Sequence, residues 1–322
     1  MKRLQWPQQR GAAILTAMLT VVLVATLAST TLWQQWRGVE VEAAERSRTQ
    51  SAWVLTGALD WARLILIEDA RKGGADHLAE PWAVPLEQAR LSTFLAADRS
   101  DALAADDTQD AFLSGQIVDL QSKLNIANLV MDGKIHEPSR LVFARLFDLL
   151  NLPASELDVM AENLRLAQSS NAEDSANSAA PLLPQDLDQL TWVGLSVSTI
   201  AQLRPFVTIL PLRTPVNLNT ASAEVIYACV EAYELADANR LVRTRNASHY
   251  TSLADVRKAG GNAAAQFNDG QHSVTTRFFE VRGKLQVDQT TVQEQTVVQR
   301  DGLDVKTLWR RRGVVQMPAP LQ

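Results

Sequence analysis

No charged side chain interrupts the chain between Arg10 and Arg37, and the stretch from Ala12 to Trp33 is predominantly apolar. At about 1.5 Å per residue, that run is long enough to cross a bilayer core as a helix. A buried helix of a soluble domain rarely stays uncharged for so long. A cleaved secretory signal would want a shorter apolar core with small residues at its far end, where Ala28 offers a weak site. Helical spacing then continues: Trp53, Ala58, Leu59, Ala62, Ile65 and Leu66 recur on one side, with Glu45, Arg46, Arg48, Asp60, Arg63 and Glu68 away from them. Lys72 and the Gly73-Gly74 pair supply a stop. The spacing predicts one helix from Ala12 to about Lys72, roughly 90 Å long.

Pro81 and Pro85 interrupt the next stretch of chain, and the pattern suggests a short amphipathic piece over Leu86 to Leu95. Ile117 to Leu129 reads as a strand or extended piece that opens a new unit. Helical periodicity returns in SRLVFARLFDLLNL, with Leu141, Ala144, Leu146, Leu149 and Leu150 as its apolar face, and again from Pro153 toward Leu166. Gln168 to Ala180 is polar and small and reads as a loop, followed by short helices around Leu187 to Leu190 and Ser196 to Leu203. A second extended-then-helix unit starts at Pro215, where Thr220 or Ser222 can cap a helix with Glu224 in its first turn. LNIANL and VNLNTA look like a weak internal duplication, each an Asn-rich turn leading toward helices. The last fifty residues alternate as strands, with connections at Asp288-Gln289 and Asp301-Gly302, and predict an antiparallel three-stranded meander.

Charge sets the orientation. Lys2, Arg3 and Arg10 precede the apolar run and only Arg37 follows it closely, so the N-terminus is expected in the cytoplasm and the bulk of the chain on the other side. If those three leave with a leader, the formal net charge falls from −5 to −8, which disfavours a broad nucleic-acid-binding face. One cysteine, Cys229, excludes an intrachain disulfide and reads as a small buried hydrophobe. The four histidines, His77, His136, His249 and His272, show no metal-ligand spacing, and no catalytic constellation stands out. Asp98, Asp101, Asp106, Asp107 and Asp110 form an acidic cluster that lacks the glycine and closing glutamate of a calcium loop. The first four are weak calcium candidates. Trp309-Arg310-Arg311-Arg312 reads as a solvated strand end that could also touch a partner.

The leader junction carries a resemblance. QRG followed by AAILTAMLTVVLVATLA is similar to the class III signal of type IV pilins and pseudopilins, with a basic leader and a glycine before the apolar run. The resemblance implies cleavage by a prepilin peptidase between Gly11 and Ala12 and N-methylation of Ala12. Most pilins carry glutamate as the fifth mature residue; here that place is held by Thr16, a departure typical of the minor pseudopilin K of type II secretion systems. IVDLQSKLNIANL, VNLNTASAEVI and SVTTRFFEVRGKL resemble landmarks of that family in the family's order, whereas ENLRLAQSSNAEDS departs from an acidic tryptophan-containing segment the family often carries.

That resemblance implies an α+β fold: a pilin-like long helix packed on a small antiparallel sheet, with a large helical inserted domain. The expected boundaries are a leader over 1–11, a transmembrane helix over 12–36, a pseudopilin domain over 37–115 and 273–322, and an insertion over 116–272 with two helix-hairpin-helix-like units. The expected function is a non-enzymatic minor pseudopilin that caps or initiates the pseudopilus for export of folded periplasmic proteins. Implied partners are the minor pseudopilins I and J, with H, the major pseudopilin G, the prepilin peptidase, inner-membrane lipid and cargo; nucleic acid is not expected. Ala13, Ala17, Ala25, Ala28 and Ser29 would allow close helix approach in lipid. No cofactor is expected apart from calcium.

Two other readings compete. VNLNTASAEVI with ANRLVRTRN and SLADV resembles the DNA-binding unit of membrane-tethered competence receptors, but the hairpin position reads VEAYELA, without glycine and with Glu231 and Glu234. A plain single-pass anchored scaffold or sensor would show neither cleavage at Gly11 nor assembly with pilin-like partners.

Overall fold

A computed structural model describes residues 10–91, 111–169, 180–287 and 290–313. The loop expected over Gln168 to Ala180, the Asp288-Gln289 connection and the whole acidic cluster from Asp98 to Asp110 lie largely or wholly outside these residues. Helix α1 runs Arg10–Lys72. It includes a window apolar enough to cross a membrane, none of it buried within the protein. Its threonines are satisfied locally: Thr16, Thr20, Thr26, Thr30 and Thr31 each donate a hydroxyl hydrogen bond to the carbonyl three residues back, which removes their polar cost in lipid. At the far end Arg71 and Lys72 face the carbonyl terminus of the helix, and Gly73 turns the chain out at a φ of 66°, which side chains with a Cβ rarely adopt.

The chain divides into two compact units, Met1–Val54 and Leu55–Gln322. The second contains a five-stranded antiparallel sheet. Its strands are β1 (Leu86–Arg90), β2 (Ala111–Asp119), β9 (Phe278–Val287), β10 (Thr290–Asp301) and β11 (Asp304–Gly313), and they lie side by side in that order. Leu59, Ala62 and Leu66 on α1 meet Phe279, Val281, Val298 and Val305 on the sheet, and Trp82 closes the end. The helical spacing of three and four residues thus meets the alternation of strands. The meander is therefore only part of the sheet. The short amphipathic piece expected over Leu86 to Leu95 includes a strand over Leu86–Arg90.

Strands β2 and β9 are direct neighbours, paired from Ala111↔Val287 to Asp119↔Phe279. Everything between Asp119 and Phe278 hangs from the end of that pair. The sheet strand β2 continues to Asp119, past the boundary expected at residue 115. The hung segment contains two units of the same plan. In the first, β3 (Leu124–Asn125) pairs in parallel with β6 (Val207–Thr208), enclosing the small hairpin β4 (Val130–Met131) and β5 (Lys134–Ile135) and helices α2 (Glu137–Leu149), α3 (Ala154–Ser169) and α4 (Val197–Leu203). In the second, β7 (Val216–Asn217) pairs in parallel with β8 (His272–Ser273) around α5 (Ala223–Cys229), α6 (Leu235–Ala247) and α7 (Leu253–Ala259). Both units share one core, from Leu124 and Phe143 to Val256 and Phe267.

The asparagines explain the repeat. Asn125 accepts from the Ala127 N–H and Asn217 from the Asn219 N–H, the same local turn in each copy. Asn125 also accepts from Leu210 N–H and donates to Leu212 C=O and Thr214 Oγ1, while Asn219 both accepts from and donates to the backbone of Tyr250. Each turn is thereby tied to a loop on the far side of its unit.

Candidate assembly site and domain junction

Gly11 and Ala12 lie in the first turn of α1. Ala13, Ala17, Ala25 and Ala28 are exposed and, at 100° per residue, fall within an arc of about 120°. Thr16 sits beside that arc, its hydroxyl on Ala13 C=O at 2.9 Å. The same arc also carries the larger exposed side chains Val24, Val21 and Ile14, at about 20°, 80° and 100° from Ala13, so these alanines are small positions within a broader apolar surface.

A second centre, not visible in the sequence, is the junction between sheet and insertion. Asp119, at the last position of β2, is buried and accepts from Gln121 N–H (2.7 Å), Asn217 Nδ2 (2.9 Å) and the Thr220 hydroxyl. Burial pushes its carboxyl up to about 6 against those three donors. Gln121 reaches from the same turn to Pro215 C=O and accepts from Arg277 N–H. Asp76, just after α1, donates its N–H to Val274 C=O, lends its C=O to Asn217, and accepts from Thr276 N–H on its side chain. The post-helix segment, the sheet and the second unit are thus joined by buried, paired polar groups.

Asp69, Asp76 and Glu80 put one oxygen each within 4.8 Å of the others, a spacing that suits a cation. The cation found there is a guanidinium: Arg300 donates to Asp69 at 2.7 Å and to Asp76, and lies over the Phe279 ring. Glu80 takes the His77 N–H at 2.9 Å and the Trp82 indole N–H at 2.7 Å, yet burial still pushes it up to about 7. The basic end of β11 is likewise committed. Arg310 and Arg312 both bond buried Glu294, and Arg311 pairs with Asp186.

The hairpins that could hold phosphate are closed by the protein's own groups. In the first unit, Gly194 (φ 102°) links the 3-10 turn Leu187–Val193 to α4. The nearby amide of Ser196 is taken by the Glu156 carboxylate at 3.0 Å. In the second unit, Ala232 N–H goes to Gln266 and Glu234 N–H to Asp237, while Arg145 donates to the carbonyls of Tyr227, Glu231 and Tyr233. Glu231 and Glu234 lie exposed at that second turn. Its glycine-containing counterpart, Val193-Gly194-Leu195, could have been found from the glycine between two apolar residues.

Cys229 packs against the inserted core, and burial pushes its thiol up to about 12. Of the four histidines, His77 and His249 are brought together as stacked rings, 172 positions apart in the chain.

Comparisons with known proteins agree with this layout. Residues 122–212 and 216–275 match two family models described as type II secretion system (T2SS), protein K. The break between the models falls between the two asparagine-led units. The type II secretion system protein K of Pseudomonas aeruginosa is 25% identical, over 97% of this chain and 95% of that one. Its counterpart in Pectobacterium carotovorum is 23% identical, over 95% and 97%. The fold resembles a solved chain of the GspK-GspI-GspJ complex from enterotoxigenic Escherichia coli with a TM-score of 0.64 and 17% identity, covering 84% of this chain and 99% of that one. Pilin-like helix, small sheet and paired units hung from one strand pair all fit, and the two family models together with relatives matched over nearly the whole chain support membership of the type II secretion system protein K family.

Proposed function

We propose that this chain is a minor pseudopilin that caps or initiates the pseudopilus of a type II secretion system, so that folded periplasmic proteins can be exported. The observation that carries this is the placement of the insertion. It interrupts the sheet between two hydrogen-bonded neighbours, β2 and β9, and so projects from the end of the pilin-like domain. A body of that size obstructs a further subunit stacking beyond it.

Thr16 supports the same reading. In a bundle of pilin helices, each arriving subunit brings a charged N-terminal amine into or near the bilayer, and a glutamate on a neighbouring helix offsets its cost. A subunit with none ahead of it has no amine to neutralise, and the Thr16 hydroxyl is already served by Ala13 C=O.

The partners under this proposal are minor pseudopilins of the I and J type, as in the solved assembly that contains a similar chain. H-type subunits and the major pseudopilin G join through the α1 face of Ala13, Ala17, Ala25 and Ala28. Prepilin peptidase would cut after Gly11 and Ala12 would be methylated. The apolar run would sit in the inner membrane with the N-terminus cytoplasmic and the bulk periplasmic. Asp98, Asp101, Asp106 and Asp107 are the candidate ligands for calcium. The closed hairpins favour a scaffold over a DNA-binding unit, since their amides already serve Glu156, Gln266 and Asp237.

Processing tests the pathway. Mass analysis of the mature protein from membranes is expected to give an N-methylated chain beginning at Ala12. A chain beginning at Met1 would make it a signal-anchored scaffold, and one beginning near Ser29 would mean that the helix is discarded.

A further inference from the structure

His77 lies in the segment that comes after α1, and His249 lies between α6 and α7 in the second unit of the insertion. Their ring centroids are 3.7 Å apart and their planes 13° from parallel. The Nδ1 of His77 accepts from Ala79 N–H at 3.3 Å, so the neutral ring carries its proton on Nε2. A second proton on His77 has to go to Nδ1, where the Ala79 amide already points. Two features of one ring therefore favour its neutral form: the amide aimed at Nδ1 and the second imidazole against its face.

The surrounding charges do not reverse this. Asp69 on α1 favours a charged His77, but its carboxylate is bonded to Arg300 of β10. Asp76 is held by Arg300 and Thr276 N–H, and Glu80 by His77 N–H and the Trp82 indole. On the side of His249, Asp255 and Lys258 of α7 are paired with each other at 3.3 Å. Burial, and then the neighbouring His249, hold His77 below the ordinary histidine range.

We propose that the His77–His249 stack is an acid-sensitive latch between the post-helix segment and the second unit of the inserted domain, closed while the His77 ring is neutral. Protonation of His77 places a positive ring against the face of the second imidazole and breaks the Ala79 contact, which loosens residues 73–80. The chain stays folded, because Asp76 N–H on Val274 C=O (2.9 Å) and Asn217 on Asp76 C=O (3.1 Å) still cross the seam. With the pKa depressed, the latch is fully present above the ordinary histidine pKa of about 6.5 and is lost as pH falls through the lower value in the folded protein.

Full-length protein in detergent micelles can be followed by the ring Cε1–H resonances and by hydrogen-exchange mass spectrometry between about pH 8 and pH 5. The His77 midpoint is expected to move upward in H249N. Exchange over residues 73–80, corrected for its intrinsic pH dependence, is expected to rise on acidification in the wild type. In H77F, which keeps a flat ring without a titrating nitrogen, the rise attributable to the latch is lost; whatever remains reports Glu80. H249F, altered at an exposed position, provides the same comparison if H77F folds poorly. An unchanged His77 midpoint in H249N, or the same corrected exchange profile in wild type and phenylalanine variants, would overturn the proposal.

Discussion

Asp119 Oδ2 accepts a hydrogen bond from Asn217 Nδ2 at 2.9 Å, with both residues buried. One residue ends a strand of the sheet and the other opens the second unit of the insertion, so this contact holds the two parts in register. Replacing Asn217 with alanine leaves Asp119 Oδ2 with the Thr220 hydroxyl but without its amide donor, and also frees Asp76 C=O and Asn219 N–H. The expected loss is about 3 kcal/mol, as for an opened buried polar network. Denaturant unfolding of the full chain in detergent, with hydrogen exchange at Asp76 and Asp119, checks both size and place.

Arg145 ties together the turn between α5 and α6 through the carbonyls of Tyr227, Glu231 and Tyr233, and its guanidinium lies 4.3 Å from the Tyr227 ring centroid. R145A is expected to cost about 2 kcal/mol. R145K should recover little, because an ammonium cannot reproduce a planar fork serving three acceptors. Thermal unfolding of the two variants side by side distinguishes loss of charge from loss of geometry.

At Gly194 the backbone has a φ of 102°, and an added Cβ would meet Val159 Cγ1 at 2.5 Å. G194A should destabilise the first unit by about 2–4 kcal/mol, combining strain with overpacking. Adding V159A removes the clash but not the strained dihedral, so the double variant should recover only part of the loss in denaturant unfolding. Full recovery would mean that the dihedral costs nothing.

His272 is buried at the start of β8, and burial depresses its pKa to about 4. The unfolded ring titrates near 6.5, so the folded state binds fewer protons between those values. Its contribution is present above about pH 6.5 and is lost as pH falls toward 4, by about 3 kcal/mol over the window. Asp119 works in the opposite sense: raised to about 6, it favours the folded state as pH falls through 6 toward its unfolded value near 3.8. Subtracting the pH–stability curve of H272N from that of the wild type isolates the histidine. A difference curve that is flat between pH 4 and 6.5 would contradict the assignment.

What the sequence revealed and what it hid have physical reasons. The α1 helix was legible because charge is absent over one stretch and the apolar period through Leu59, Ala62 and Leu66 is sustained beyond it, although Trp53, read onto the same side, is exposed and Leu55 is buried in its place. Strands β9 to β11 were legible because alternation continues through Phe279, Val281, Val298 and Val305. Two-residue strands such as Leu124–Asn125 and Val216–Asn217 have no period to read. Their asparagines did mark the repeat. The Asp119 centre, the Arg300 pairs and the stacked histidines join residues far apart in the chain, and no local spacing encodes such meetings.

Position in the fibre is tested most directly by a single label. Gold-labelled antibody against the inserted domain, applied to sheared pseudopili from cells overproducing the major subunit, should mark one end of each fibre. Label repeated along the shaft, for the wild type as for T16E, would contradict the capping role argued from Thr16 and the insertion between β2 and β9.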